Sequence, residues 1–252
     1  MAMTPYPYSK NTFENPSILV SEDGVHFYEE REGLNPLVGP PPYGYNDDPD
    51  LVFTNQTGMF YLYYLETMRP DSQNVVLLKS RDAIVWERER VLRYDLQAGD
   101  DFILCPSVLQ VGSGYRMYYV NISSTAHPIE FLASQDGVCW TKDSPQSIVA
   151  DYPDGLVPWH IDIFEGDARY FMLCCGPYED LNLYLATSTD LVRWDFVEEP
   201  ILRHSASFYD SERIYRSSGV VDGDLLVVWF SLSDSNGQWH IGVKKLRLQE
   251  IA

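Results

Sequence analysis

Four strand-like runs recur along the chain at a spacing of 55 residues: Phe60-Tyr61-Leu62-Tyr63-Tyr64, Tyr115-Arg116-Met117-Tyr118-Tyr119, Tyr170-Phe171-Met172-Leu173-Cys174 and Leu225-Leu226-Val227-Val228-Trp229-Phe230. Repetition at a fixed period decides the architecture before any local propensity does. A second signature, Ser-x-Asp-x-x-x-aromatic, keeps step with the first. It runs from Ser21 to Phe27, Ser80 to Trp86, Ser134 to Trp140 and Ser188 to Trp194, with starts 59, 54 and 54 residues apart. The Asp and the turn-prone residues after it suit a tight turn, with the aromatic packing where the next strand begins.

Each unit opens about ten residues before its aromatic run with another short run. These are Asp47-Asp48-Pro49-Asp50-Leu51-Val52-Phe53, Leu104-Cys105-Pro106-Ser107-Val108-Leu109, Trp159-His160-Ile161-Asp162-Ile163-Phe164 and Tyr215-Arg216-Ser217-Ser218-Gly219-Val220-Val221. Turns rich in Gly or Asp join run to run, so each unit reads as an antiparallel meander. No segment carries a convincing amphipathic helical period. Meanders repeated around an axis form a β-propeller.

The expectation is one all-β domain over residues 1–252, a five-bladed β-propeller. Its blades would be 1–40 (partial), 41–97, 98–152, 153–207 and 208–252. Stepping back 59 residues from Phe60 puts Met1-Ala2-Met3-Thr4-Pro5 where a second strand belongs. The first blade is therefore expected to lack its innermost strand in this chain. Either the ring closes without that strand or native residues precede Met1.

Composition narrows the partners. A net charge of −19 repels a polyphosphate backbone, which argues against nucleic acid and leaves neutral sugars open. The cysteines Cys105, Cys139, Cys174 and Cys175 show no metal-ligand spacing and read as free thiols. No apolar stretch approaches membrane-spanning length, and no charged leader precedes one. The chain reads as soluble, without a membrane partner or visible export signal, and cytoplasmic by default. It does not reveal an oligomeric state.

Innermost propeller strands line a central channel. Aligning them on the aromatic runs, with a turn two residues longer before Phe60, equates Asp48, Cys105, His160 and Tyr215, and likewise Asp50, Ser107, Asp162 and Ser217. Alternation puts Asp48 with Asp50, and His160 with Asp162, on one face. Carboxylates, an imidazole, the Arg216 guanidinium and the aromatics Trp159 and Tyr215 are what glycosidic cleavage needs: one carboxylate to activate water or attack, another to protonate the leaving oxygen. Structural alternatives stand beside each. Asp47 and Asp48 could shape a turn before Pro49, His160 could be a core histidine, Asp162 could pair with Arg216, and Glu212 could be a solvated loop acid. No metal ligand or cofactor is assigned, and a channel cation such as Ca²⁺ stays open.

At these residues the chain resembles the five-bladed β-propeller glycoside hydrolases: the arabinanases and β-xylosidases of family 43, the fructosidases of family 32 and the mannoside phosphorylases of family 130. The carriers are Asp47-Asp48-Pro49-Asp50, the recurring Ser-x-Asp-x-x-x-Trp, Trp159-His160-Ile161-Asp162 and Ile214-Tyr215-Arg216-Ser217-Ser218. The resemblance implies a glycosidase acting on an oligo- or polysaccharide at the channel. It implies Asp48 as base, Glu212 or Asp162 as acid or its modulator, and Asp47, Asp50, Trp159, His160, Tyr215 and Arg216 in substrate binding. The chain departs from family 43 at Cys105-Pro106-Ser107, where an Asp-Pro is expected, and at His160 and Asp162, where a Glu is expected. Two alternatives follow: a binding propeller without catalysis, or a phosphorylase whose Arg216 and His160 hold phosphate.

Overall fold

The computed structural model describes residues 1–7, 10–177, 182–203, 213–234, 236 and 238–251. Among them are β-strands and short 3₁₀ turns but no α-helix, and no helix long and apolar enough to cross a membrane. The strands form five sheets in chain order. The first pairs β1 (Ala2–Met3) with β2 (Ser17–Ile18). The second is a meander of β3 (Tyr45–Thr54), β4 (Met59–Met68), β5 (Ser72–Ser80) and β6 (Glu87–Asp95). The third contains β7 (Ile103–Val111), β8 (Gly114–Asn121), β9 (Ile129–Ser134) and β10 (Gln146–Ser147).

The fourth is built from β11 (Val149–Ala150), β12 (His160–Glu165), β13 (Tyr170–Cys175), β14 (Leu183–Ser188) and β15 (Arg193–Phe196). The last holds β16 (Arg213–Asp222), β17 (Leu225–Ser233) and β18 (Trp239–Arg247). The fold is all-β and β-propeller-like. Four sheets have three to five strands and are blades, whereas the sheet of β1 and β2 has two strands of two residues each. Val149–Ala150, expected in the unit ending at 152, pairs instead in parallel with Arg193 and Trp194 of the fourth sheet. There the otherwise open edge of β15 offers backbone groups, and Val149 donates its N–H to Val192 O.

The chain divides into two compact units, Met1–Met117 with Leu132–Pro145, and Tyr118–Phe131 with Gln146–Ala252. In unit 1, Leu62, Tyr64, Val76 and Leu78 form a core cluster to which Ala2, Leu37, Val38, Leu51 and Trp86 add. In unit 2 the cluster runs through Phe171, Leu173, Cys175, Leu183, Leu185 and Leu202 to Ile214, Leu226, Val228, Phe230 and Leu232. Burying each such side chain contributes about 1.5–3 kcal/mol.

The repeat is visible as repeated hydrogen bonds. Tyr63 and Tyr118, 55 residues apart, bury their rings and donate their hydroxyls to Gly137 O (2.7 Å) and Leu191 O (2.8 Å). The acceptors hold matching places in the Ser-x-Asp turns. In each turn the serine hydroxyl donates to the Asp, and the Asp accepts the amides two and three residues on, as Asp82 does from Ile84 and Val85. Gly24, Ala83, Gly137 and Leu191, which follow the Asp, all adopt a left-handed conformation. Asp23, Asp82, Asp136 and Asp190 are thus turn-formers, and their carboxyls are held below the usual range, by the His26 side chain and then amides for Asp23 and by amide bonds first for the others.

Candidate functional site

In unit 1 the candidate residues sit on β3, whose register against β4 breaks between Asp47 and Asp50. This bulge places Asp48 at φ 51°, a strained conformation for a residue that precedes proline. Cys105, its counterpart one repeat later and also before proline, has φ 53°. Asp48 is buried, and its Oδ2 accepts the Cys105 amide at 2.7 Å. Asp50 Oδ2 accepts the Val108 amide at 2.8 Å. Two acids proposed from sequence for chemistry and binding therefore also tie β3 to β7.

Glu14 is the unit's other notable acid. Its backbone carbonyl accepts from Asn46 N (3.1 Å), and the Asn46 side chain donates to Asn15 Oδ1 (2.9 Å), so the segment before β2 lies along the start of β3. Burial, and then the negative charge of Asp48, push the Glu14 carboxyl up to about 7. A carboxyl with raised proton affinity beside a second carboxylate is an arrangement from which an acid–base pair can be built.

In unit 2 the candidates lie on β12 and β16. His160 is buried, and its ring centroid is 4.4 Å from Tyr215 and 6.2 Å from Trp159. Tyr215 lies within a second bulge, between Ile214 and Ser217. Trp159 Nε1 donates to Tyr215 Oη at 3.3 Å, and Trp239 packs on Tyr215 with centroids 5.5 Å apart. His127 extends the group, 5.6 Å from Trp159. The bulge is secured from two sides: Cys175 Sγ donates to Tyr215 O, and Ser231 Oγ accepts from Arg216 N and donates to Arg216 O. The product is a partly exposed aromatic surface with its polar edges directed, the form in which proteins stack on sugar rings.

Asp162 Oδ2 accepts the Gly219 amide at 2.8 Å, with Ser218 and Arg216 also favouring the charge. Burial nonetheless wins and raises its carboxyl to about 6. This ties β12 to β16 as Asp50 ties β3 to β7, through a backbone amide where the sequence reading weighs a pair with Arg216. Glu212 lies outside the described residues. Among the described residues no three His, Cys, Asp or Glu side chains gather as a metal would require.

Sequence reasoning passed over Glu14, His127 and Trp239. A signal for the first two was present. Glu14, Gln73 and His127 each stand seven residues before the serine of a Ser-x-Asp turn, so they share one repeat position. An ionisable group where one copy carries a glutamine is the clue that a scan of inner strands alone leaves out.

No protein-family model matches the chain. A solved N-acetylgalactosamine deacetylase from F. plautii, in complex with blood group B trisaccharide, superposes with a TM-score of 0.84 at 22% identity, over 99% of this chain and 85% of that one. A glycosyl hydrolase from Bacteroides ovatus gives 0.68 at 15% identity, over 89% and 78%. An endo-arabinase from Bacteroides thetaiotaomicron gives 0.57 at 18%, over 79% and 75%. The fold is that of the propeller glycoside hydrolases. By sequence, the A type blood N-acetyl-alpha-D-galactosamine deacetylase of Flavonifractor plautii is 26% identical over an alignment of 312 positions. The alignment takes in 96% of this chain, which spans only 40% of that relative's length. The propeller likeness thus covers almost the whole chain, and within it lie both the acid pair and the aromatic surface.

Proposed function

We propose that this chain is a carbohydrate-processing hydrolase of the propeller glycoside hydrolase type. The observation that carries the reading is the aromatic surface of unit 2, where Trp159, His160, Tyr215 and Trp239 pack in succession and Trp159 is hydrogen-bonded to Tyr215. Within unit 1, taken by itself, Glu14 is an acid with a raised pKa and Asp48 a carboxylate that accepts the Cys105 amide. In a hydrolysis, protonated Glu14 gives its proton to the leaving oxygen or nitrogen, while Asp48 as base takes one from the attacking water. In unit 2, Trp159, His160, Tyr215 and Arg216 bind the sugar; Asp50 and Asp162 tie strands within their own units, and Asp47 is a binding group of unit 1. The small sheet of β1 and β2 is read as part of a fifth blade, because the Val20–Tyr28 bridge and the Ser21–Asp23 turn after it repeat the later blades.

A second reading, amide hydrolysis of an N-acetylated sugar, is favoured by the likeness to the Flavonifractor deacetylase. One incubation separates the two. The chain is mixed with blood group A and B trisaccharides and with nitrophenyl glycosides, and released acetate and new reducing ends are both measured. Reducing ends support the glycosidase; acetate from the N-acetylated sugar alone supports the deacetylase. Binding without either product leaves the site non-catalytic.

A further inference from the structure

Gln73 and His127, equivalent in the repeat, make an equivalent bond to the start of the next unit's inner strand. Gln73 Nε2 donates to Ile103 O at 2.9 Å, and His127 Nδ1 lies 3.0 Å from Pro158 O. Ile103 and Pro158 are themselves matched, each two residues before a channel position, Cys105 and His160. Gln73 is wholly buried and fully used, since its Oε1 also accepts the Ile103 amide at 3.0 Å. Pro158 has no N–H to offer, so this half of the exchange is missing beside His127.

A carbonyl only accepts, so His127 Nδ1 carries the proton and the neutral ring presents Nε2 as an acceptor. Nε2 has no protein partner among the described residues, and His127 is partly exposed. The backbone at His127 is left-handed, φ 45°, an unusual conformation for a residue other than glycine and one found disproportionately at functional sites. The imidazole is thereby fixed next to Trp159.

We propose that His127 is a substrate-recognition residue whose Nε2 accepts a hydrogen bond from a hydroxyl of the sugar stacked on Trp159. The proposal rests on the reading of the aromatic surface as a carbohydrate site. His127→Asn isolates Nε2: asparagine tolerates the left-handed backbone, and its amide N–H stands where Nδ1–H stood, but it has nothing at the Nε2 position.

Galactose, N-acetylgalactosamine and blood group B trisaccharide are titrated calorimetrically into the full chain, then the monodeoxy analogues of the tightest ligand. His127→Asn is expected to weaken binding about three- to tenfold, one net hydrogen bond, with thermal unfolding unchanged. Among the deoxy sugars, one is expected to bind the wild type equally weakly and to lose nothing further in His127→Asn. If Trp159→Ala weakens binding and His127→Asn does not, the proposal falls and the carbohydrate reading stands. Were every deoxy sugar to lose as much in the variant as in the wild type, His127 would act only on structure, which also overturns it. No binding by the wild type, or none lost in Trp159→Ala, defeats the carbohydrate reading and the proposal with it.

Discussion

In unit 1 the carboxylates of Asp48 and Asp50 hold the amides of Cys105 and Val108, and in unit 2 that of Asp162 holds the amide of Gly219. The three bonds reach across 57 or 58 residues, one repeat, so they are a single device for joining successive inner strands. What surrounds the device differs. Unit 1 adds a second carboxyl, Glu14, which burial first and the Asp48 charge second push up to about 7. Unit 2 has His160 where unit 1 has Asp48, and packs it against Tyr215 and Trp159. A structural bond made by a carboxylate thus leaves a charged group near the inner strands, which one unit elaborates with acid and the other with aromatic rings.

The largest test of this contrast removes the acid. Glu14→Gln keeps the shape of the side chain but has no proton to give, and a positioned general acid contributes about 10²–10⁴-fold. We expect kcat to fall at least 100-fold, with sugar binding little changed. Because Glu14 acts while protonated, wild-type activity should decline as pH rises through about 7. A variant with full activity, or a profile still rising there, would confine the contrast between units to structure.

Next in size is the cost of the charge in unit 2. The Asp162 carboxyl is raised from 3.8 to about 6, so the folded state holds the proton more tightly than the unfolded state does. Stability contributed by the neutral form is present below about pH 4 and lost as pH rises to about 6, amounting to about 3 kcal/mol. Asp162→Asn keeps an acceptor for the Gly219 amide and never ionises. Its melting temperature should match the wild type near pH 4 and exceed it by about 6–10 °C above pH 6.5. Glu14 contributes in the same direction but cancels between the two proteins. Melting curves that stay together at every pH would show the Arg216 and Ser218 contacts to outweigh burial.

The period made the blades legible because hydrophobic spacing and turn chemistry are local, and each of the four long aromatic runs became the strand expected of it. The opening strand of each unit was legible too, with Asp48 and Asp50 on β3 and His160 and Asp162 on β12. Their partners were not. Whether Asp162 faces solvent or the Gly219 amide depends on how one strand lies against the next, and a bulge at Tyr215 or a left-handed Asp48 shifts that geometry without leaving a periodic trace. Glu14 and His127 lie just before the short strands β2 and β9, outside the alternation that marks a face.

The pair Gln73 and His127 gives a smaller effect with opposite consequences in the two units. Gln73→Ala leaves both the N–H and the carbonyl of Ile103 without their side-chain partner in a dry interior, a loss of about 1–3 kcal/mol. His127→Asn, partly exposed and retaining a donor for Pro158, should change stability by less than about 0.5 kcal/mol. Urea unfolding of both variants measures this; equal losses would erase the distinction between a structural and a recognition use of the position.

The finest test concerns the turns that the units share. Ala83 and Gly137 follow the Asp of successive Ser-x-Asp turns, with φ of 58° and 72°. Alanine there is strained, so Ala83→Gly relieves the folded state by about 1 kcal/mol and makes the unfolded chain more flexible, which offsets part of the gain. The net expectation is a rise of a few tenths of a kcal/mol, near the limit of a urea midpoint. Gly137→Ala should go the other way and further, because the added Cβ would lie 2.8 Å from the Tyr63 hydroxyl that donates to Gly137 O. The same alanine, tolerated in one turn and excluded from the next, would show that the close approach of the Tyr63 hydroxyl, and not the turn itself, reserves position 137 for glycine.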